Sequence, residues 1–397
     1  GFVIGIRMVA QWFPKNMIGR AEGFYAGWGN FGSAWAAMTL PWIGITFFGD
    51  TFGLGDDGWR WALAFNGLVS LVYGIAYPFL VRDLPGGEKF KGTAKADPMT
   101  VSSWGDLIQY LAWSFPLVGA MMILTWRLSN VMIDGAPVIS GWPLYAVYGV
   151  LTLVYVAHVA KTLQINVPIL KAGVPEEDKY HWGSVAALNS TYFANFGAEL
   201  AVVSMLPMFF ENTFSQLQSS EGNYIMTATL SGVIAASFAF VNLLARPLGG
   251  LLSDTMKNRK RTMLTYMVGI AFGFLGMASI GQYGEVVDGQ QMIVPMFDGT
   301  LWLVIAVVIT ILCSMFVQGA EGATFAVIPM IKKDMTGQIA GMAGAYGNVG
   351  AVVYLVIYSL VDAKTFFYII AAGAALSFVY CFFALEEPSD AFAEEMF

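Results

Sequence analysis

The chain has 397 residues, of which 57% are hydrophobic and 12% are charged, and its formal net charge is −7. Because soluble domains carry about 25% charged residues, this composition excludes an ordinary soluble domain and is typical of an all-α polytopic membrane protein. Two cysteines and two histidines exclude a disulfide framework and argue against a metal centre, so we expect no metal and no cofactor.

Apolar runs bounded by charged residues predict eleven membrane helices. The first run is too short to span a bilayer, and the chain opens inside it without a methionine. We therefore expect a fragment that lacks its native N-terminus, and we find no signal peptide. The predicted helices lie near residues 1–13, 19–48, 60–81, 105–129, 142–165, 183–210, 224–253, 262–282, 300–330, 338–361 and 363–385.

The loops between these helices alternate in charge along the whole chain. One set of loops carries lysine and arginine, whereas the other set carries acidic residues and, apart from Lys364, no basic residue. Because basic loops stay in the cytoplasm, the pattern predicts a multi-pass protein of the cell membrane, either a plasma membrane or a bacterial inner membrane. It also predicts that the acidic C-terminal tail is cytoplasmic.

Two glycine-rich stretches, residues 23–34 and 341–351, are changed copies of each other. In this repeat Asn30 aligns with Asn348, and Gly29 aligns with Gly347. Glycine in a membrane helix lets a second backbone or a ligand come close, and an asparagine there needs a polar partner. Two such sites in related halves indicate a transporter with a central binding site.

The spacing of the two copies predicts the domain organisation. They lie eight helices apart, whereas equivalent helices of a transporter with two six-helix halves lie six apart; removing the hairpin 105–165 restores that spacing. We therefore predict the last three helices of an N-terminal bundle at 1–82, and central linkers with the inserted hairpin at 83–182. A C-terminal six-helix bundle follows at 183–385, and an acidic cytoplasmic tail at 386–397.

Arg246 is the strongest candidate for a binding residue. It lies eight residues before Asp254, near the cytoplasmic end of its helix, which places it about 12 Å into the membrane. An arginine there costs about 2.5–3.5 kcal/mol to insert, and its planar fork suits a planar oxyanion. The alternative is an ion pair with Glu199 or Glu321.

Asn30 and Asn348 reach a similar depth in the membrane. Hydrogen bonding between helices is the alternative to ligand binding for both residues.

Other polar and aromatic residues are weaker candidates. Tyr192 and Phe196 lie one turn apart and could line a small site, although an ordinary aromatic core explains them equally well. Glu321 lies near the midplane, where a buried carboxyl could carry a proton or compensate an arginine. Glu199 could serve in the same two roles. Arg7 is another cation within the membrane and a candidate for charge compensation, although it could also extend to the membrane interface.

A loop motif joins two helices on the predicted cytoplasmic side. Gly250, Asp254, Arg259 and Arg261 lie in it, and an acid near a helix end with basic residues beyond could form a latch that opens as the halves rock. Positive-charge anchoring of topology is the alternative. The chain shows no nucleophile–base arrangement, no phosphate-binding loop and no nucleic-acid patch, so we expect neither an enzyme nor a nucleic-acid-binding protein.

These motifs resemble those of the nitrate/nitrite porter family of the major facilitator superfamily. The two glycine–asparagine stretches resemble the two nitrate signatures of that family, and residues 250–261 resemble the cytoplasmic loop motif of the superfamily. Residues 2–14, 21–30 and 320–325 resemble the cyanobacterial and plant-type branch. The resemblance covers most of the chain apart from the hairpin 105–165, which would suit a variant with fourteen helices.

The resemblance implies a major facilitator fold of two six-helix bundles around a midplane anion site. In the family two arginines, one from each half, clamp the anion; Arg246 matches the second, and the first belongs to a helix that this chain lacks. Asn30 matches a polar contact of the first signature. Tyr192 and Phe196 match a tyrosine and a phenylalanine that line the site.

The expected function is transport of nitrate, nitrite or both by alternating access in the lipid bilayer. The membrane carboxylates favour proton-coupled uptake, so protons are an expected coupling ion. The alternatives are nitrate/nitrite exchange, a facilitator for another small anion, and a non-transporting anion sensor on the same scaffold. The oligomeric state stays open.

Overall fold

The structure, a computed structural model, describes residues 5, 8–9, 12–13, 18–82, 98–219, 221–256, 258–287 and 290–387. Ten helical segments of these residues are long and apolar enough to cross a membrane, which confirms the predicted all-α polytopic class. Most of the predicted first helix lies outside the described residues. The helices are α1 (Ile18–Trp42), α2 (Gly58–Leu80), α3 (Trp104–Ser129), α4 (Gly141–Ala172), α5 (Trp182–Thr213), α6 (Ala228–Phe240), α7 (Asn242–Thr255), α8 (Arg259–Ser279), α9 (Thr300–Ile331), α10 (Thr336–Tyr358) and α11 (Ala363–Ala384).

The helix predicted near 224–253 is interrupted, because α6 and α7 are separate elements on either side of Val241. The carbonyl of Phe238 accepts hydrogen bonds from Ser314 Oγ at 2.5 Å and from Gln318 Nε2 at 2.6 Å, both on α9. Pro247, inside α7, has no N–H to donate to the preceding turn. A broken helix of this kind is where transporters commonly form their binding sites.

Two β-hairpins lie in loops, and neither was predicted. β1 (Met132–Ile133) pairs with β2 (Ala136–Pro137) at the turn between α3 and α4. That turn is Asp134-Gly135, with φ of 50° and 80°, which is the left-handed geometry that a two-residue hairpin requires. β3 (Gly281–Val287) pairs antiparallel with β4 (Gln290–Pro295) between α8 and α9, with Gly281 opposite Pro295.

α1 continues into a π-helical segment, Ile43–Thr51, before the chain turns into α2. The turn includes a 3₁₀ segment, Gly55–Asp57. Two further 3₁₀ segments, Glu176–Asp178 and Lys333–Met335, join helices at the predicted cytoplasmic side. The predicted helix near 19–48 is therefore correct in position, but its last two turns are wider than an α-helix.

The apolar core lies among α5 and the helices that follow it. α5 packs against α10, α11 and α9, and α8 packs against α9 and α11. Most of the fully buried large side chains belong to these helices, including Trp182, Phe210 and Phe274. α5 therefore runs through the middle of the packed helices, and most of the candidate residues lie on it or on its neighbours.

The hairpin α3–α4 packs on the outside of this core. α3 contacts α10 and α5, whereas α4 contacts α3. Tyr346 donates a hydrogen bond from its hydroxyl to the carbonyl of Trp113, and the two rings lie 5.3 Å apart. Buried Asn166 of α4 accepts from the N–H of Val101 and donates to the carbonyl of Met99. The hairpin is thus attached to the core by polar as well as aromatic contacts.

Candidate functional site

Arg246 is fully buried in α7, one turn after the break between α6 and α7. It lies nine residues before the end of α7 at Thr255, about 14 Å along the helix. Its Nη2 donates to the Tyr192 hydroxyl at 3.0 Å and also pairs with the Glu321 carboxylate. The ion pair that the sequence offered as an alternative is therefore present, and Glu321 rather than Glu199 is the partner.

The guanidinium group of Arg246 keeps unused hydrogen-bonding capacity. Within the described residues, neither Nε nor Nη1 has a hydrogen-bond partner. A buried donor without a partner costs about 1–3 kcal/mol, and more when it is charged. Such a group is suited to binding an oxyanion that enters the site, because the anion would supply the missing acceptors.

An aromatic wall lies beside Arg246. Tyr192 and Phe196, one turn apart on α5, stack with ring centroids 5.0 Å apart and an interplanar angle of 16°. The ring centroids of Phe325 and Tyr192 lie 5.2 Å apart with an interplanar angle of 87°, and the guanidinium carbon of Arg246 lies 5.6 Å from the Phe196 centroid. The wall is apolar except for the Tyr192 hydroxyl.

Gly347 brings α10 against this wall. A Cβ atom at this position would lie 2.4 Å from Cδ1 of Phe196 and 2.8 Å from Cδ1 of Tyr192. Those separations are far below the roughly 3.5–4.0 Å of an ordinary carbon–carbon contact. The glycine is required here because any side chain would displace the two rings.

Glu199 forms a second polar layer one turn further along α5. Its carboxylate is buried and accepts from Nδ2 of Asn30, at 3.4 Å to each oxygen, and from Nδ2 of Asn242. This layer joins α1, α5 and α7, and it gives the amide of Asn30 a carboxylate as its partner.

The second copy of the repeat does not mirror the first. Asn348 has an exposed side chain, and its Nδ2 donates to the carbonyl of Gly344 in its own helix at 3.0 Å. Gly29 is also exposed, and a Cβ there would meet no atom of the described chain within 4 Å. The contacts of its stretch are made by Gly23 against Pro247 and by Gly27 against the Asn242 carbonyl. Arg7 lies outside the described residues.

The loop motif residues lie at the junction of α7 and α8. Gly250 packs against Gly322 of α9, and Asp254 lies in the last turn of α7. Nη1 of Arg259 donates to Ser253 Oγ at 3.1 Å, and the N–H of Arg261 donates to the Asn258 side chain that caps α8.

The C-terminal segment contacts the start of α8 at this junction. Glu387 accepts from the N–H groups of Arg259 and Lys260 at 2.8 and 2.7 Å. A carboxylate is favourable at this position because a helix N-terminus carries unpaired N–H groups and a partial positive charge. The contact was not predicted, since the sequence indicated only an acidic tail.

Asn242, Gln318 and Phe325 are functional candidates that sequence reasoning missed. Asn242 lies one turn from Arg246 on the same helix, and all three side chains are part of the polar and aromatic surroundings just described. A search for polar residues four positions from a membrane arginine would have found Asn242. Gln318 could have been found in a similar way, because it lies three residues before Glu321 in a mostly apolar helix.

Comparison with known proteins gives consistent matches. The sequence profile of the Major Facilitator Superfamily matches residues 188–396. The nitrate/nitrite transporters NrtP of Picosynechococcus sp. and Nostoc punctiforme are each 38% identical to this chain; the alignments cover 99% of it and 74% and 73% of those proteins. The high-affinity nitrate transporter 2.3 of Oryza sativa subsp. japonica is 26% identical over 88% of this chain and 50% of its own length.

These matches agree with the fold and confirm the expected family. The profile covers the helices that carry Arg246, Glu199 and Glu321. The two NrtP alignments extend across nearly the whole chain, including the hairpin α3–α4. The chain therefore belongs to the major facilitator superfamily and, within it, to the family of nitrate/nitrite transporters.

Proposed function

We propose that this chain transports nitrate and nitrite by alternating access, with Arg246 as a ligand of the anion. The observation that carries the proposal is a fully buried arginine with two guanidinium nitrogens unpartnered in the described part of the chain. The names of the NrtP relatives support this choice of substrate. The proposal assigns no catalytic activity.

The surroundings of Arg246 suit a small planar anion. Guanidinium and nitrate are both planar, so a nitrogen–oxygen pairing can satisfy the open donors without distortion. The stacked rings of Tyr192 and Phe196 and the close approach of Gly347 leave little room for a bulky organic acid. Phe325 adds a further apolar edge that excludes water, which strengthens the attraction between charges.

Alternating access requires a contact between the two halves that can break and reform. α1, which belongs to the predicted N-terminal bundle of residues 1–82, packs on α6 and α7 of the predicted C-terminal bundle of residues 183–385. The hydrogen bonds of Asn30 to Glu199 cross this boundary. We propose that rocking of the halves opens this boundary on one side of the membrane at a time.

We further propose that transport is proton-coupled uptake. In the empty site Glu321 occupies Nη2 of Arg246, so an anion competes with a carboxylate for the same cation. A proton on Glu321 removes that competition, because a neutral carboxyl group holds a cation far less strongly. Nitrate/nitrite exchange, the main alternative, needs no protonatable group at this position.

The proposed topology follows from the charge of the loops. The basic loops and the C-terminal tail, residues 386–397, lie in the cytoplasm, and the protein resides in the cell membrane. The segment 83–182 joins the bundles and carries the hairpin. With this orientation Arg246 lies about 14 Å from the cytoplasmic end of α7, close to the middle of the bilayer.

The test is anion uptake into proteoliposomes by the full-length protein, with and without an inward proton gradient. Wild type is compared with Arg246→Lys, which keeps the charge but loses the planar fork. Arg60→Lys is the matched control, because Arg60 is exposed and its contacts are local, an ion pair with Asp57 and a position 5.0 Å from the ring centroid of Trp59. We expect nitrate and nitrite uptake by wild type and the control, and a loss of at least tenfold in Arg246→Lys.

Three outcomes would contradict parts of the proposal. Normal uptake by Arg246→Lys would make Arg246 a structural residue. Uptake that does not respond to the proton gradient would favour exchange over symport. Binding of nitrate without any flux in wild type would favour an anion sensor on the same scaffold.

A further inference from the structure

Asn189 of α5 is a buried asparagine whose side-chain amide has no partner. The side chain is fully buried, and neither Nδ2 nor Oδ1 forms a hydrogen bond within the described residues. The other buried asparagines of the described chain each donate from the amide nitrogen to a neighbouring group; they are Asn166, Asn195 and Asn242. Because a buried polar group without a partner lowers stability, Asn189 is an exception among them.

Asn189 lies on the face of α5 that forms the aromatic wall. It precedes Phe196 by seven residues and Tyr192 by three, so the three side chains lie on one side of the helix. Asn189 is seven residues from the start of α5 at Trp182, about 10 Å from the predicted cytoplasmic end. Tyr192, which bonds Arg246, is about 15 Å from that end. Asn189 therefore lies about one turn closer to the cytoplasm than the Arg246 site.

Helix α10 leaves space at the level of Asn189. α5 and α10 both begin at the predicted cytoplasmic side, and Gly347 of α10 lies against Tyr192 of α5. Gly344 lies three residues before Gly347, just as Asn189 lies three residues before Tyr192. Gly344 is buried, yet a Cβ atom at this position would meet no atom of the described chain within 4 Å. The interior beside Gly344 thus has room for a small ligand at the depth of Asn189.

We propose that Asn189 forms a second binding position for the transported anion, one helical turn closer to the cytoplasm than Arg246. This inference rests on the proposed function and adds a step between the arginine site and the cytoplasm. Two observations carry it. One is the buried amide without a partner in the described chain, and the other is the space beside Gly344 at the same depth.

The amide of Asn189 has the chemistry that such a position needs. Its Nδ2 group can donate two hydrogen bonds to the oxygens of nitrate or nitrite, and its Oδ1 can accept from a water molecule that accompanies the anion. The amide carries no charge, so it holds an anion less strongly than the Arg246 guanidinium does. Weak binding at this position lets the anion continue to the cytoplasm, because transport requires release as well as binding.

A purely structural role of Asn189 predicts different behaviour. An asparagine that joins parts of the fold needs partners there, as Asn166 has in the N–H of Val101 and the carbonyl of Met99. The described residues give Asn189 no such partner. Leucine has nearly the same shape as asparagine, so Asn189→Leu removes an unsatisfied polar group without opening a cavity. We therefore expect Asn189→Leu to unfold in detergent at the wild-type temperature or above it.

The experiment measures nitrate affinity separately at each face of the membrane. Right-side-out and inside-out membrane vesicles that contain the full-length protein are preloaded with unlabelled nitrate, and the entry of isotopically labelled nitrate is followed. The half-saturating concentration then reports the external face in one preparation and the cytoplasmic face in the other. Wild type is compared with Asn189→Leu and Arg246→Lys. Asn212→Leu is the matched control, because Asn212 lies on the same helix but is exposed.

We expect Asn189→Leu to raise the half-saturating concentration at the cytoplasmic face at least about tenfold, because a hydrogen bond to a charged ligand is lost. The value at the external face should change by less than about twofold, because an anion from outside reaches Arg246 first. Arg246→Lys should raise both values, and Asn212→Leu should change neither. An equal rise at both faces, a rise at the external face alone, or wild-type values at both would overturn the second position.

Two further results separate this inference from the proposed function. A marked fall in the unfolding temperature of Asn189→Leu would show that the amide is structural and would overturn the inference. Absence of labelled nitrate entry into wild-type vesicles of either orientation would overturn the proposed function itself. Normal exchange by wild type, with unchanged affinities in Asn189→Leu, would overturn only the second position.

Discussion

Gly347→Ala tests whether the aromatic wall sets the geometry of the site. The new methyl carbon would lie 2.4 Å from Phe196 Cδ1 and 2.8 Å from Tyr192 Cδ1. Because carbon atoms in contact need roughly 3.5–4.0 Å, the Phe196 ring must move by at least about 1 Å and the Tyr192 ring by at least about 0.7 Å. Tyr192 and Phe196 lie between α10 and Arg246, so the movement is directed toward the guanidinium group.

The expected magnitude follows from two opposing effects. Overpacking costs about 1–3 kcal/mol, whereas alanine gains about 1 kcal/mol over glycine in a helix interior, so the free energy of unfolding changes little. The larger effect falls on the site, where the 3.0 Å hydrogen bond between Arg246 and the Tyr192 hydroxyl is displaced. A hydrogen bond to a charged group contributes about 1.5–3 kcal/mol, which corresponds to roughly a 10- to 100-fold weaker anion affinity.

The assay is the nitrate concentration that gives half-maximal uptake in proteoliposomes. Gly344→Ala is the matched control, because it lies one turn earlier on α10 and its Cβ would meet no atom of the described chain within 4 Å. We expect Gly347→Ala to raise the half-saturating concentration at least tenfold and Gly344→Ala to leave it unchanged. Equal effects of the two substitutions, or a wild-type value for Gly347→Ala, would refute the reasoning.

Two further predictions concern stability. Gln318→Leu removes one of the two donors to the Phe238 carbonyl at the break between α6 and α7. We expect thermal unfolding in detergent to show that the free energy of unfolding falls by about 1–2 kcal/mol. Gln216→Leu is the control, because Gln216 is exposed, and we expect it to leave the free energy of unfolding unchanged. Glu387→Ala leaves two N–H groups at the start of α8 without their acceptor. We expect it to lower the free energy of unfolding by about 1 kcal/mol in the same assay. Glu386→Ala, which removes an exposed pairing with His181, is its control, and equal losses would contradict this explanation.

Several features of the fold could be predicted because they depend on neighbouring residues in the chain. The helices from α3 onward begin and end within a few residues of their predicted limits, apart from the extended end of α4 and the break at Val241. Hydropathy and loop charge are properties of consecutive residues, so helix limits can be predicted without knowledge of tertiary contacts. The depth of Arg246 follows from the helical rise in the same way.

The sequence predicted which residues form the candidate site, but it predicted only some of the contacts between them. Arg246, Tyr192 and Glu321 meet because each lies about 14–15 Å from the predicted cytoplasmic end of its helix, and Phe196 lies one turn beyond Tyr192. Depth alone does not specify which face of a helix a residue occupies. Asn348 has the right depth, but its side chain is exposed and bonds within its own helix.

The repeat illustrates the same limit for glycine. Gly29 and Gly347 occupy equivalent positions in the two copies, yet only Gly347 lies against side chains that would collide with a Cβ. The sequence predicts that glycine permits close approach, but which glycine is approached depends on the helix that packs beside it. In the first copy that role falls to Gly23 and Gly27, which contact α7.

The sequence by itself determined that this is a polytopic membrane protein, where most of its helices begin and end, how it resembles a family of anion transporters, and which arginine lies at mid-depth. Only the tertiary structure decided that Arg246 pairs with Glu321, that Asn30 donates to Glu199, and that the helix before Arg246 is broken. The physical reason is that hydropathy and helical rise are properties of consecutive residues. Hydrogen bonds and ion pairs in a dry interior instead depend on partners from other helices, whose rotation about their axes is set by packing.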